Sequence, residues 1–247
     1  MNLFKKPYRM KRSLKFIQPL ILILLIGGLY GFAEHRHKNR KLTDIKVSFT
    51  ETENLYVTEE VVNKLLIQSN DSVSSIDKET LDLNRVEAML NDHDMIENAE
   101  VFLTLDGKLK ATVSQRKPIG RVAGNSSFYL DRNGEIMPLS EYYSARVPLL
   151  FGFDGSTVAE VYGIVSYVQN DDFLRKHITG ITRLNAEAYA LELREDDFQI
   201  YFGDTTEIDL KFNNFKAFYK KATKDKKLNT YKKVNLQFGD QVVCTKK

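Results

Sequence analysis

From Phe16 to Ala33 the chain reads FIQPLILILLIGGLYGFA, with Gln18 its only strongly polar side chain, and no other stretch limits the fold so severely. Eighteen residues in a helix reach roughly 27 Å, close to the ~30 Å hydrocarbon core of a bilayer. Lipid offers no hydrogen-bond partners, so only a helix satisfies the backbone there. Pro19 falls in the first turn, where its missing N–H costs little. Tyr30 and Phe32 fall at the far interface, where aromatic rings are favoured. Lys5, Lys6, Arg9, Lys11, Arg12 and Lys15 precede the run, while Arg36, Lys38, Arg40 and Lys41 follow it with Glu34. That excess sets the N-terminus in the cytoplasm and the bulk of the chain outside. The run exceeds a signal-peptide core and no small-x-small site precedes Glu34, so the expectation is an uncleaved anchor. Residues 1–15 then form a cytoplasmic tail, 16–33 the transmembrane helix and 34–43 a polar stalk.

The chain as a whole has an ordinary globular balance, with 43% hydrophobic and 28% charged residues. A net charge of +3 does not mark a nucleic-acid binder. The lone Cys244 excludes an internal disulfide and a cysteine-built zinc site. Ile45, Val47 and Phe49 alternate as a half-buried strand. Thr58, Glu59 and Glu60 open a helix whose inner face is Val61, Val62, Leu65 and Leu66. Asn84 with Glu87 suggests a capping box for a second helix, with Val86, Met89 and Leu90 inward. Strands over 99–103 and 109–113 flank Asp106-Gly107, a tight-hairpin signal. The order β-α-α-β-β within 44–116 predicts a small sheet with two helices on one face.

Residues 117–247 read as a larger β-rich domain with flanking helices, making the outer part α+β. Asn133-Gly134 marks a turn between strands at 127–130 and 135–137. Thr157 with Glu160 caps a helix carrying Val158, Val161, Tyr162, Val165 and Val168. Tyr189, Leu191 and Leu193, then Phe198, Ile200 and Phe202, are alternating strands. A helix over 208–222 turns Phe212, Phe215, Phe218 and Tyr219 inward, and Val234, Leu236 and Phe238 mark a last strand.

Little of this carries chemistry. His35, His37, His93 and His177 are scattered without metal-ligand spacing. Ser75-Ile76-Asp77-Lys78 fits S-x-x-K, but its companion motifs are absent and it sits in a polar stretch. No Walker loop, G-x-G-x-x-G or G-x-S-x-G occurs. The expectation is no catalytic residue, metal or cofactor, and no small-molecule substrate. What remains is a surface. Lys216, Lys220, Lys221, Lys224, Lys226, Lys227, Lys232 and Lys233 surround the last helix and lead into the last strand. A terminal strand is often an edge, whose free N–H and C=O groups can pair with another chain.

Three stretches in order, behind an N-terminal anchor, resemble the FtsQ/DivIB bacterial cell-division family. They are LDLNRVEAML leading into IENAEV, QRKPIGRV followed by YLDRNGEIMP, and YKKVNLQFGDQVV. The sequence departs from the family in Gln115-Arg116-Lys117-Pro118 for the usual Glu-Arg-x-Pro, and in Asn235 and Gln237. The resemblance implies a POTRA-like domain over 44–116 and an FtsQ-type β domain over 117–247. It further implies a non-enzymatic, single-pass scaffold of the divisome in the bacterial inner membrane, its bulk periplasmic and enriched at the division site. Its terminal strand would receive an FtsB/DivIC-type protein, itself paired with an FtsL-type protein, to regulate septal wall synthesis. The positions so implicated are Tyr231, Val234, Leu236, Phe238 and Val242, with Lys232 and Lys233 steering. A POTRA-containing translocation or secretion component, and a membrane-anchored peptidoglycan enzyme acting through Ser75, are the alternatives.

Overall fold

The computed structural model describes residues 14–38, 44–51, 56–68, 82–124, 126–239 and 241–247. The Ser75–Lys78 motif, most of the tail and the second half of the stalk lie outside them. Helix α1 spans Leu14–Lys38 and contains the expected span. Its described side chains are those of residues 19–35, and Leu20 to Ile26, Leu29, Tyr30 and Phe32 are all exposed. Among the described residues no helix is long and apolar enough to cross a membrane.

The chain divides into two compact units, one of residues 1–48, 60–89 and 100–112, the other of 49–59, 90–99 and 113–247. Strands β1 (Asp44–Phe49), β2 (Ile96–Leu103) and β3 (Lys108–Gln115) form a small sheet in the order β1-β3-β2. Strand β3 alternates strictly, burying Leu109, Ala111 and Val113 and turning the residues between them outward, as a strand covered on one face must. Gly107 closes the hairpin at φ +90°, donating its N–H to the Thr104 carbonyl at 3.0 Å. Helix α2 (Glu59–Gln68) buries Val62 and Leu66. Helix α3 (Leu83–Asn91) buries Val86 and Leu90. The capping differs from expectation. Asp82, rather than Asn84, caps α3, accepting from the Arg85 N–H, while the Glu87 carboxylate accepts from the Val101 N–H at 3.2 Å.

The larger sheet has nine strands. In chain order these are β4 (Pro118–Ala123), β5 (Phe128–Asp131), β6 (Ile136–Met137), β7 (Leu149–Phe151), β8 (Ile178–Asn185), β9 (Ala188–Leu193), β10 (Gln199–Gly203), β11 (Tyr231–Asn235) and β12 (Val243–Lys246). Their spatial order is β12-β11-β10-β9-β8-β7-β4-β5-β6. The helices are α4 (Tyr162–Asn170), entered through a 3-10 turn, α5 (Asp172–His177) and α6 (Ile208–Lys224). The 3-10 turn is not capped by Thr157. Asp154 gathers the chain there instead, accepting from the N–H and hydroxyl groups of both Ser156 and Thr157.

Register explains the core. Val122 opposes Leu150, Leu150 opposes Ile181, Ile181 opposes Leu191, Leu191 opposes Ile200, Ile200 opposes Val234, and Val234 opposes Cys244. Opposed residues share a face, so these seven side chains make one apolar row across seven strands. Every member except Cys244 is fully buried. Phe212 and Phe215 of α6 and Ile164, Val165 and Val168 of α4 belong to the same core, with the Phe212 ring 4.9 Å from Phe202. Full burial of each such side chain stabilises by about 1.5–3 kcal/mol.

Candidate partner-docking edge

The segment expected to be the free edge is not one. Strand β11 pairs in parallel with β10 on one side, Gln199 to Lys233 and Tyr201 to Asn235, and antiparallel with β12 on the other. Its ladder groups are used on both sides, so main-chain docking onto the segment from Tyr231 is ruled out. Val234 and Leu236 are 0% and 1% exposed, and belong to the core rather than to a contact surface. Alternation along the strand left one of the two outcomes open for each side chain; helices on a single face of the sheet decide it.

The edge on this side of the sheet is β12; the strand at the opposite end, β6, has only two residues. The Lys247 N–H donates inward to the Thr230 carbonyl at 2.9 Å. Backbone groups alternate in direction along an extended strand. The N–H and C=O of Lys246 and of Cys244 therefore point away from β11, toward an incoming chain. The same alternation sends the main-chain groups of Thr245 and Val243 inward, opposite Lys233 and Asn235.

The remaining residues frame this edge unequally. Tyr231 is half-buried, its ring 5.3 Å from Phe218 in a T-shaped contact. Val242 is half-buried against the core, and Phe238 is 46% exposed. Lys232 is exposed, whereas the Lys233 ammonium lies 4.4 Å from the centre of the Tyr201 ring, on the face opposite the helices. Beside β12 a groove of about 560 Å³ is lined by Phe218, Lys221, Lys227, Tyr231, Val242 and Cys244, among others. The apolar row of the sheet surfaces in this groove at Cys244. Burial pushes the Cys244 thiol up from its ordinary pKa, which keeps it in the protonated form. Sequence reading missed Cys244 and Lys246 as edge residues, because a four-residue strand with a single β-branched apolar side chain has no periodicity to detect.

The two most telling motifs of the sequence serve structure. Gln115 turns its carbonyl oxygen onto the N–H groups of Tyr56 and Val57, at 2.8 and 3.1 Å. The Arg116 guanidinium pairs at 2.7 Å with Asp131, whose carboxylate is buried and also accepts from the N–H groups of Asn133 and Glu135. Arg132 and Asn133 both donate to the Glu97 carboxylate. The two stretches are thus held to one another, with Gly134 at φ +82° allowing the turn between β5 and β6.

Among the described residues no group of histidine, cysteine and carboxylate side chains could hold a metal. A small three-stranded sheet is followed along the chain by a nine-stranded open sheet whose two end strands, β12 and β6, are both short and each paired on one side only. Residues 42–114 match the model of the POTRA-like domain, and residues 117–245 match that of the FtsQ/DivIB, C-terminal related family. The chain belongs to the FtsQ/DivIB family, and that membership points to a role in cell division. Comparison with curated proteins finds no significant match.

Proposed function

We propose that this protein is a non-enzymatic, single-pass membrane scaffold of the bacterial divisome. Its cytoplasmic tail and anchor are followed by a POTRA-like domain over 44–116 and a β domain over 117–247. The anchor reading rests on the apolar side chains of α1, exposed from Leu20 to Phe32, and on the basic residues ahead of them. The β domain captures a segment of an FtsB/DivIC-type partner, itself bound to an FtsL-type protein, as an added strand beside β12. Through that assembly it regulates septal wall synthesis.

The observation that carries this reading is the free edge of β12 next to a groove with a basic rim. Backbone pairing to Cys244 and Lys246 supplies affinity, and side chains of the incoming strand supply selectivity. An added strand extends the apolar row by one residue, beside Cys244, where it covers the half-buried Tyr231 and Val242. Lys221 and Lys227 favour a partner whose flanking residues are acidic.

Two proline substitutions of opposite parity test it. Lys246→Pro removes an outward donor and sets a ring against the incoming strand, leaving the inward ladder intact; Thr245→Pro removes an inward donor. The lost bond is worth about 0.5–1.5 kcal/mol, and the added clash brings the loss of partner affinity to about tenfold or more. Co-purification and calorimetry with the FtsB/DivIC-type protein of the same cell should show weak capture by Lys246→Pro at unchanged thermal stability, and lowered stability in Thr245→Pro. Equal capture by Lys246→Pro and the parent chain would refute the edge. A fluorescent fusion should gather at mid-cell and depletion should yield filaments; uniform envelope fluorescence with normal division would reject the divisome role.

A further inference from the structure

At the end of the large sheet where β7 and β8 begin, a cleft of about 360 Å³ is lined by Arg146, Arg175 and Arg194 together with Val147, Pro148, Ile178 and Thr179. It is separate from the β12 edge, since β7 and β8 are interior strands. The arginines are held to different degrees. Arg194 donates from Nε to the Lys176 carbonyl at 3.0 Å, which fixes the root of its guanidinium and leaves the terminal nitrogens free to donate elsewhere. Arg175 is held by the Gln169 carbonyl and by Asp172. Among the described residues Arg146 and Arg194 form no ion pair with a carboxylate. The lining itself holds no acid; Asp172 is engaged with Arg175, and Glu192 stands over Gly180.

Like charges gathered around one concavity repel unless an anion joins them. Guanidinium groups present paired donors that match phosphate and carboxylate oxygens. The lining discriminates between the two kinds of anionic ligand. A peptide needs either a strand edge or an apolar anchor pocket. Little of either is available here, because the strands are paired on both sides, Pro148 and Ile178 are buried, and the half-buried Val147 is the one remaining aliphatic side chain of the lining. A compact tetrahedral oxyanion can take donors from several directions at once and needs no such support.

We propose that this cleft binds a phosphate oxyanion, as carried by an anionic phospholipid headgroup or by free phosphate. The test uses the full chain in zwitterionic detergent at low salt, titrated calorimetrically with inorganic phosphate and with glycerophosphoglycerol, the soluble form of one such headgroup. Binding should be measurable for the parent chain and about tenfold or more weaker when Arg146, Arg175 and Arg194 are all changed to Gln, since charge-assisted bonds are lost. Changing the same three to Lys should restore only part, because the charge returns without the fork. Arg146→Gln alone should weaken binding severalfold without affecting folding, as its guanidinium is exposed and unpaired. Changing the exposed Lys64, Lys220 and Lys224 to Gln is the control and should change nothing. Tighter binding of the glycerol ester identifies a lipid source, and tighter binding of inorganic phosphate a soluble one. The proposal is overturned if the parent chain binds neither probe, if the three-Gln variant binds as the parent does, or if the lysine control weakens binding equally. It is also overturned if a hexaglutamate peptide binds more tightly than both phosphates.

Discussion

Asp131 is the residue that joins the Gln115–Pro118 segment to the turn after β5, and Asp131→Ala is the perturbation that exposes it. The carboxylate is 1% exposed, pairs with the Arg116 guanidinium at 2.7 Å and accepts from the N–H groups of Asn133 and Glu135 at 2.9 and 2.8 Å. Truncation strands one largely buried guanidinium and two backbone donors. Breaking a buried pair from one side costs about 3–5 kcal/mol. Arg116 retains a bond to the Asp94 carbonyl and its side chain is 15% exposed, which places the expected loss near the lower end, about 3 kcal/mol. Asp131→Asn keeps an acceptor for both backbone groups and gives up only the charged bond, a loss of about 1.5–3 kcal/mol. Urea unfolding of the full chain in detergent, followed by tyrosine fluorescence since the chain has no tryptophan, measures both. With a slope near 3 kcal/mol/M the alanine midpoint should fall by about 1 M. A cycle with Arg116→Met completes the argument, because the double variant should lose clearly less than the two single losses added. A shift under about 1 kcal/mol for Asp131→Ala, or strict additivity in the cycle, would show that the pair does not hold segment and turn together.

Two further outcomes are expected. Asp204 receives the buried Lys211 ammonium at 2.6 Å and the Thr206 hydroxyl, which together hold its pKa down at about 2, below the ordinary 3.8. A carboxyl depressed in the folded state adds stability above its unfolded pKa and loses it as pH falls through the folded value. Unfolding midpoints should therefore drop between about pH 4 and pH 2, and Asp204→Asn should flatten that slope; an unaltered slope would exclude Asp204 as a source. Asp171 caps α5 by accepting from the N–H groups of Phe173 and Leu174 and also binds Lys216 at 2.8 Å, so Asp171→Ala should cost about 1–2 kcal/mol in the same urea assay, with no effect expected on partner capture at β12.

What local sequence encodes in this chain, it encodes through side-chain order. The alternation of Tyr189, Leu191 and Leu193, the aromatic spacing of α6 and the glycines after Asp106 and Asn133 each report a face or a turn, and the corresponding elements form where those signals lie. Like β12, strand β8 and helix α5 went unread for want of a periodic signal. Strand β8 buries Ile178, Gly180 and Ile181 without regular alternation, and α5 has only six residues, less than two turns. The strongest family-like stretch, Tyr231 to Val243, was legible as a strand but not as an interior one. Side-chain periodicity tells which face of a strand is buried; it carries nothing about which strands lie to either side, because every residue offers the same N–H and C=O. That β11 is enclosed by β10 and β12, and that the open ladder passes to Cys244 and Lys246, follows only from the pairing of segments far apart along the chain. The arginines of the cleft make the same point, since Arg146, Arg175 and Arg194 are brought together by parallel β7 and β8 and by no spacing a single segment could display.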